Sequence, residues 1–342
     1  FSDIQAQAIL DMRLQKLAGL ERKKIEDELT AIQKLIKELE AILKSKAKMM
    51  KIVKEELMDV AEKFGDERRT KIVKGGVKQL NPEDLVPDEE SVLVLTKGGY
   101  VKRTNPAEYR TQKRGGVGVV DLNTKEEDVV TTLLTTSTHS DLLFFTDAGK
   151  VYQSKMFEIP EGRRATKGKS IMNFLPLQQD EHVTSVLAVR KEEWDGDWSL
   201  MMFTKNGVAK KSDTKAFMDV RRSGLIAITL KDDDSLIAAR FVGKGDEVSL
   251  ITKLGQAIRY DEADVRQMGR TAAGVAAMKL GKGDRIVSAE VLKDGAKDRE
   301  VLVVTEHGYG KSTPAKDYKV QKRGGSGIKT VKLTAKTGQV VR

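Results

Sequence analysis

The feature that most constrains how this sequence can fold is a repeat that occurs five times along the chain. Each copy has a threonine at the end of an apolar run and a glycine three residues later. The pairs are Thr96 with Gly99, Thr146 with Gly149, Thr204 with Gly207, Thr252 with Gly255, and Thr305 with Gly308. Such a Thr-x-x-Gly segment fits a tight hairpin turn, in which we expect the glycine to take a positive φ.

A second glycine, which we call the late glycine, follows in register in every copy. It lies 19 residues after the first glycine in four copies and 17 residues after it in the third. The late glycines are Gly118, Gly168, Gly224, Gly274 and Gly327, and an arginine precedes all of them except Gly224 by four residues. A repeat of about 50 residues with short β-branched runs is typical of a bladed β fold. We therefore predict a mainly β, propeller-like pinwheel of about five four-stranded blades over residues 71–342.

The first 70 residues have a different pattern, which predicts helices. Ser2 and Gln5 have the spacing of a capping box at a helix start. Farther on, apolar residues recur in alternating steps of four and three, as along a coiled-coil seam. These residues are Ile25, Leu29, Ile32, Ile36, Leu39 and Leu43. We predict that residues 1–70 form a helical segment, either a hairpin or a dimerisation element, which precedes the β domain.

The composition restricts the chemistry that this chain can perform. The sequence has no cysteine, and its histidines, His139, His182 and His307, are far apart, so we expect neither a disulfide nor a bound metal. No apolar run approaches the roughly 18 residues that a membrane span needs. The 61 Lys and Arg residues against 51 Asp and Glu give a net charge of +10, which favours an anionic partner.

The stretch from Tyr109 to Gly118 combines cations with glycines. Its Lys113 and Arg114 stand directly before two glycines, so charged side chains flank a backbone that a phosphate chain can approach closely. A similar stretch returns at Gln321–Gly327. We therefore predict that such a loop binds a polyanion.

Cations also recur six or seven residues after the repeat threonines, although the second copy has Tyr152 and Gln153 there. Equivalent positions in a bladed fold lie at equivalent radius, so we predict a basic belt around one rim that binds the phosphates of duplex DNA. The predicted rim contacts are Lys97, Lys102, Arg103, Arg110, Arg164, Lys210, Lys211, Arg259, Arg270, Lys311, Lys322 and Arg323. Aromatic residues make up only 5% of the chain, which argues against a stacking platform for single strands.

One pair of residues suggests catalysis. A tyrosine beside an arginine, as in Arg259-Tyr260, can act as a nucleophile on a phosphodiester. Tyr260, however, lies eight residues after Thr252, where the first copy has Thr104, so it occupies an ordinary position of the repeat. We therefore predict no catalytic residue in this chain.

Two segments resemble a known family. Gln112-Lys113-Arg114-Gly115-Gly116-Val117-Gly118 resembles the gyrase box, Q-[R/K]-R-G-G-x-G, which marks the first blade of the C-terminal β-pinwheel in the DNA gyrase A-subunit family. Val117 stands where a lysine is common, so the box is less charged here. Residues 5–21 are similar to the same family near its C-gate dimer interface, after which a coiled-coil arm returns.

This resemblance implies a role within a bacterial type IIA topoisomerase. The pinwheel would wrap duplex DNA so that ATP-driven strand passage introduces negative supercoils, with Lys113 and Arg114 contacting phosphates. The family's catalytic tyrosine lies upstream of the C-gate, so we expect this chain alone to be inactive. ATP and Mg²⁺ would be used by the breakage core and the gyrase B subunit of an A2B2 complex, which dimerises through the C-gate. Such a complex would be cytoplasmic and associated with the nucleoid.

Two other functions are compatible with the sequence. The A subunit of topoisomerase IV has a related C-terminal domain, usually with a degenerate box, and the intact box at Gln112–Gly118 argues against it. A propeller-like protein-interaction platform, with cations that only solvate its surface, is the alternative from another functional class. DNA binding that is weak and insensitive to salt would favour the interaction platform.

Overall fold

The structure is a computed structural model, which describes residues 2–11, 19–66, 70, 82–109, 128–231, 233–294 and 298–341. The chain divides into two compact units, Phe1–Lys78 and Gln79–Arg342. The boundary predicted between residues 70 and 71 borders the segment 71–81, which lies outside the described residues.

The first unit is helical, as the sequence predicts. Its helices are α1 (Asp3–Leu10), α2 (Gly19–Leu43) and α3 (Lys46–Phe64). The predicted capping box is confirmed, because the Gln5 amide donates to Ser2 Oγ over 3.4 Å and the Ser2 amide donates to Gln5 Oε1 over 3.0 Å. Helices α2 and α3 contact each other. The apolar seam of α2, from Ile25 to Leu43, remains exposed in this chain.

The second unit consists of short strands joined by hairpins and 3-10 turns. The strands are β1 (Glu90–Thr96), β2 (Tyr100–Thr104), β3 (Val130–Ser137), β4 (Asp141–Thr146), β5 (Lys150–Lys155), β6 (Lys169–Ser170), β7 (Val183–Val189), β8 (Ser199–Thr204), β9 (Val208–Asp213), β10 (Leu225–Ile226), β11 (Leu236–Val242), β12 (Glu247–Thr252), β13 (Gln256–Asp261), β14 (Val275–Ala276), β15 (Ile286–Leu292), β16 (Glu300–Val304), β17 (Gly310–Pro314) and β18 (Ile328–Lys329). All ladder pairs between these strands are antiparallel.

The described strands form four four-stranded sheets and one two-stranded sheet. Their orders are β3-β1-β2-β6, β10-β5-β4-β7, β11-β8-β9-β14, β15-β12-β13-β18 and β16-β17. In each four-stranded sheet, three strands come from one repeat and the short fourth strand comes from the next repeat along the chain. Strand β6 of the second repeat, for example, pairs with β2 of the first, Tyr100 lying opposite Ser170. Successive repeats are therefore joined by strand exchange.

The order within the sheets defines an inner and an outer edge. Strand β3 contacts β7, β7 contacts β11, and β11 contacts β15, so these edge strands of successive sheets converge. The exchanged strands β6, β10, β14 and β18 lie at the opposite edge of each sheet. We call that edge the outer rim.

The prediction of five four-stranded blades is wrong for the fifth repeat. Its sheet has two strands in the described part of the chain, β16 and β17, with a single further bridge between Thr305 and Val340. The first four sheets each take their fourth strand from the following repeat.

The core lies between neighbouring sheets, which are apolar on both faces. Because successive side chains of a strand point to opposite faces, Leu142 and Phe144 of β4 pack towards the first sheet. Leu143 and Phe145 of the same strand pack towards the third. All four side chains are fully buried. The continuous apolar run before Thr146 thus reflects burial on both faces of β4.

The two glycine landmarks have distinct structural causes. The glycine of each Thr-x-x-Gly segment takes a positive φ, for instance 83° at Gly207, which confirms the predicted hairpin turn. The late glycine Gly168 also has a positive φ, of 79°. A Cβ atom there would lie 2.6 Å from Val101 O, so this glycine also permits close contact with the previous repeat.

Candidate nucleic-acid interface

In repeats two to five, a loop leads from a 3-10 turn to the exchanged strand at the outer rim. We call residues 160–168, 218–224, 266–274 and 319–327 the rim loops. They follow the turns Met156–Glu158, Thr214–Phe217, Glu262–Asp264 and Ala315–Asp317. The equivalent stretch of the first repeat contains the predicted gyrase box, Gln112–Gly118, and Arg110, all of which lie outside the described residues.

Every rim loop carries at least one exposed cation. The exposed residues are Arg163, Arg221, Arg222, Arg266, Lys319, Lys322 and Arg323. The sequence analysis missed all of these except Lys322 and Arg323. They lie between two and eight residues before the late glycine, without a common register, so the repeat pattern alone did not single them out. Counting from the repeat threonine selects positions on a strand instead.

The structure contradicts the prediction that Lys102 and Lys210 lie on an exposed rim. Both side chains are fully buried. Lys102 Nζ donates to Arg163 O over 3.2 Å, and Lys210 Nζ donates to Ala227 O over 2.6 Å. Main-chain carbonyl oxygens satisfy these ammonium groups, which allows a charged side chain to be buried.

Three further predicted cations join one repeat to the next. Each is partly buried and donates to a carbonyl oxygen in or beside the 3-10 turn of the following repeat. Arg103 Nε donates to Ile159 O over 3.3 Å, Lys211 Nζ to Glu262 O over 3.2 Å, and Arg259 Nη1 to Ala315 O over 2.6 Å. Their recurrence in the sequence therefore has a structural cause, namely the contact between successive repeats.

The arginines four residues before the late glycines make the reverse contact, to the turn of the preceding repeat. Arg164 Nη1 donates to Glu108 O over 2.8 Å, Arg270 Nη1 to Ala216 O over 3.3 Å, and Arg323 Nε to Asp264 O over 2.7 Å. A guanidinium group has five N–H donors, so one bond to a carbonyl leaves donors for a phosphate wherever the group is also exposed. Arg323 is exposed, whereas Arg164 and Arg270 are partly buried.

The remaining predicted cations lie at the surface. Lys97 is exposed in the β1–β2 hairpin. Lys311 is exposed as well, although its Nζ donates to Thr330 O over 3.0 Å. The Lys322 ammonium lies 2.8 Å from Asp264 Oδ1, and this hydrogen bond raises the pKa of the lysine.

The glycines of the similar stretch, Gln321–Gly327, make contacts within the fold. The Gly324 amide donates to Ala277 O over 2.6 Å, and the Lys279 amide donates to Gly325 O over 2.9 Å. Both contacts join the fifth repeat to the fourth. In this copy, the glycines allow two stretches of main chain to approach each other closely.

Tyr260 does not have the geometry of a nucleophile. Its side chain is fully buried, and burial raises the pKa of its hydroxyl group. Among the residues that the structure describes, no group of three or more His, Asp or Glu residues is placed to hold a metal ion. Every helix in those residues is too short or too polar to cross a membrane.

Comparison with known proteins gives matches along almost the whole chain. The family model described as DNA gyrase C-terminal domain, β-propeller, matches residues 90–137, 140–190, 199–242, 246–293 and 299–342. The DNA gyrase A subunit of Staphylococcus epidermidis strain ATCC 12228 is 45% identical over 337 residues, which are 98% of this chain. The chain spans only 38% of the length of that relative.

Two solved structures have a similar fold. The C-terminal domain of DNA topoisomerase IV matches with a TM-score of 0.61 and 28% identity, covering 75% of this chain and 77% of that domain. The DNA gyrase A C-terminal domain matches with a TM-score of 0.60 and 29% identity, covering 74% and 81%. The fold alone therefore does not distinguish between these two relatives.

Proposed function

This chain belongs to the family of DNA gyrase C-terminal β-propeller domains, and from that premise we propose that it wraps duplex DNA around its outer rim as part of a DNA gyrase. Family membership and the 45% identity to a gyrase A subunit support gyrase over topoisomerase IV. The observation that carries the proposal is the exposed cation on every described rim loop.

The arrangement of these cations suits a wrapped duplex. Contacts to phosphates contribute affinity with little sequence information and give a steep dependence on salt. Bending a 20 to 30 bp site costs on the order of 1 to 6 kcal/mol. A single rim loop, with one to three exposed cations, supplies too few contacts to offset that cost. Successive loops along one rim can each add contacts as the DNA bends past them.

The gyrase box of the first repeat is part of the proposed surface. We assign phosphate contacts to Lys113 and Arg114, within Gln112–Gly118, on the strength of the family motif. Arg110 precedes the box in the sequence and would add to its charge. Among the predicted contacts that the structure describes, Lys97, Lys311, Lys322 and Arg323 are exposed, and we include them in the proposed surface.

The remaining steps of a gyrase reaction would need parts outside this chain. We propose that the full-length protein dimerises through its C-gate, joins the gyrase B subunit in an A2B2 complex, and uses ATP and Mg²⁺ bound there to introduce negative supercoils. The cleaving tyrosine would lie in the upstream part of the full-length protein, so we expect the chain alone to leave DNA strands intact. A cytoplasmic, nucleoid-associated location follows from the same proposal.

Ligation of a nicked DNA circle in the presence of this chain tests the proposal. If the rim wraps DNA with one hand, the closed circles carry a positive shift in linking number that increases with protein. A Lys113→Ala/Arg114→Ala variant should lose most of this shift. Binding without a shift would favour the topoisomerase IV alternative, and absence of binding at low salt would favour a protein-interaction platform.

A further inference from the structure

We propose that the buried lysines Lys102 and Lys210 are positioning residues, each of which holds the rim loop of the following repeat so that an exposed arginine of that loop contacts a DNA phosphate. The arginines are Arg163 for Lys102 and Arg266 for Lys210. This inference rests on the proposed DNA wrapping. In this proposal the recurring cations have two roles: some contact DNA, and others hold the rim loops in place.

Lys102 lies on β2 of the first repeat and reaches the rim loop of the second. Its Nζ donates to Arg163 O over 3.2 Å and also to Arg164 O. The side chain is fully buried, whereas Arg163 is exposed. The lysine therefore binds the main chain of the residue whose side chain faces solvent.

Other bonds from β2 hold the same loop along its length. Thr104 Oγ1 donates to Gly162 O over 3.0 Å. The Arg103 amide donates to Pro160 O over 2.9 Å, and the Gly162 amide donates to Arg103 O over 2.8 Å. With these bonds and those of Lys102, the residues around Arg163 are held before any DNA arrives, which reduces the entropy lost on binding.

Lys210 makes one equivalent contact two repeats later, to Arg270 O, which corresponds to Arg164 O, and a second contact within its own repeat. Its Nζ donates to Ala227 O over 2.6 Å and also to Arg270 O in the rim loop of the fourth repeat. Ser212 Oγ donates to Met268 O in the same loop over 3.0 Å. Arg266 lies exposed at the start of this loop. Burial, and then the positive charge of Arg270, lower the pKa of Lys210 to about 8, so placing a cation here opposes folding at neutral pH.

The fold itself does not require a lysine at this position. The equivalent residues of the second and fourth repeats are Tyr152 and Ile258, and their sheets have the same strand order. Tyr152 donates its hydroxyl to Glu181 over 3.1 Å instead of to the next rim loop. Ile258 has no side-chain donor at all. The fifth repeat also has a lysine here, Lys311, but its Nζ donates to Thr330 O of its own repeat over 3.0 Å. Among the described residues, Lys102 and Lys210 are therefore the lysines at this position that bind the rim loop of a following repeat.

The salt dependence of DNA binding distinguishes a positioning residue from one that contacts a phosphate. The slope of log K against log salt falls by about 0.9 for each phosphate that the protein no longer contacts. With the full chain and a linear duplex, Arg163→Gln should lower both the affinity and the slope. Lys102→Met should lower the affinity about three- to tenfold at one salt concentration while the slope is unchanged. Lys244→Gln removes one exposed charge outside the rim loops and should change neither.

A double variant tests whether Lys102 acts through Arg163. The loss of DNA affinity in Lys102→Met/Arg163→Gln should be smaller than the sum of the losses in the two single variants, because Lys102 has nothing to position once the arginine is absent. Additive losses would contradict the proposal, as would a Lys102→Met variant whose slope falls like that of Arg163→Gln. Unchanged affinity in Lys102→Met would also refute it.

Two further variants keep the test valid if Lys102→Met folds poorly. Thr104→Val removes the hydroxyl that binds Gly162 O but changes no charge, and it should lower the affinity without changing the slope. Lys210→Met with Arg266→Gln repeats the experiment in an independent pair of repeats. If the unaltered chain fails to bind duplex DNA, the proposed function itself fails. Normal binding that these variants leave intact would overturn only the positioning role.

Discussion

At the scale of single residues, Lys210 shows how a recurring cation can serve the fold at an electrostatic cost. Its ammonium group is fully buried among main-chain carbonyl oxygens. Burial lowers its pKa from 10.5 to about 8, because an apolar environment disfavours the charged form. In the unfolded chain this lysine is exposed to water and its pKa is not lowered. The stability of this domain should therefore depend on pH through the ionisation of Lys210.

We expect the free energy of unfolding to rise between pH 7.5 and pH 9.5. In this window the folded chain loses the Lys210 proton while the unfolded chain, with a pKa near 10.5, keeps it, so stability increases with pH. The gain should be about 1–2 kcal/mol. Urea denaturation at both pH values measures it. Lys210→Met should lack this increment, and an equal increment in that variant would show that other groups produce it.

The late glycine Gly168 allows a second prediction at this scale. Gly168→Ala should destabilise the β domain by about 1–3 kcal/mol, because alanine would be strained at φ 79° and its Cβ would lie 2.6 Å from Val101 O. Thermal unfolding measures the loss. Gly281→Ala is the matched control, since its added Cβ would meet no atom within 4 Å. A loss of similar size in both variants would contradict this explanation.

At the scale of elements, the decisive feature is whether a sheet is covered on both faces by neighbouring sheets. Leu143 on β4 and Leu302 on β16 each lie three residues before a repeat threonine. Leu143 is fully buried between the second and third sheets, whereas Leu302 is 62% exposed on the two-stranded fifth sheet. The same position in the repeat therefore has different energetics, depending on whether another sheet packs on it.

Leu143→Ala and Leu302→Ala should differ sharply in their effect on stability. The first creates a cavity in the core and should cost about 2–5 kcal/mol. The second removes a largely exposed side chain and should change the free energy of unfolding by no more than about 0.5 kcal/mol. Chemical denaturation of both variants provides the comparison. Comparable losses would mean that the outer face of the fifth sheet is covered in solution.

At the scale of the whole β domain, the rim loops bring charges from distant parts of the sequence to one edge. The loops of the second and fifth repeats are more than 150 residues apart, yet both lead to exchanged strands at the outer rim. DNA binding should therefore be distributed over the loops. Among the rim loops of repeats two to five, no single loop should account for most of the salt dependence.

Arg221→Gln/Arg222→Gln tests this distribution. Both residues are exposed in the rim loop of the third repeat. Removal of two phosphate-binding groups should lower the salt slope by about 1.8, twice the value for one group. The linking-number shift in the nicked-circle assay should fall but not vanish, because other loops still bind. A complete loss of the shift would indicate that the third repeat is the main contact.

The sequence by itself determined the repeat, its mainly β character and the turn glycines, because these depend on interactions within a few residues. The regular spacing of threonine and glycine predicted the hairpins, and the spacing of Ser2 and Gln5 predicted the helix start. The recurrence of cations was also visible. Their chemistry was not, since nothing local distinguishes a lysine that faces solvent from one that faces the carbonyl oxygens of another repeat.

Only the tertiary structure decided the strand exchange and the burial of Lys102. The partner of Lys102, Arg163, lies 61 residues farther along the chain. That distance is bridged because β6 leaves its own repeat and pairs with β2. Strand pairing between repeats joins residues that are far apart in the sequence. It depends on how the sheets pack against each other, which no local pattern encodes. Because of this pairing, Lys102 binds the main chain of the next repeat, where the sequence predicted a phosphate contact, and the side chain of Arg163 lies at the surface.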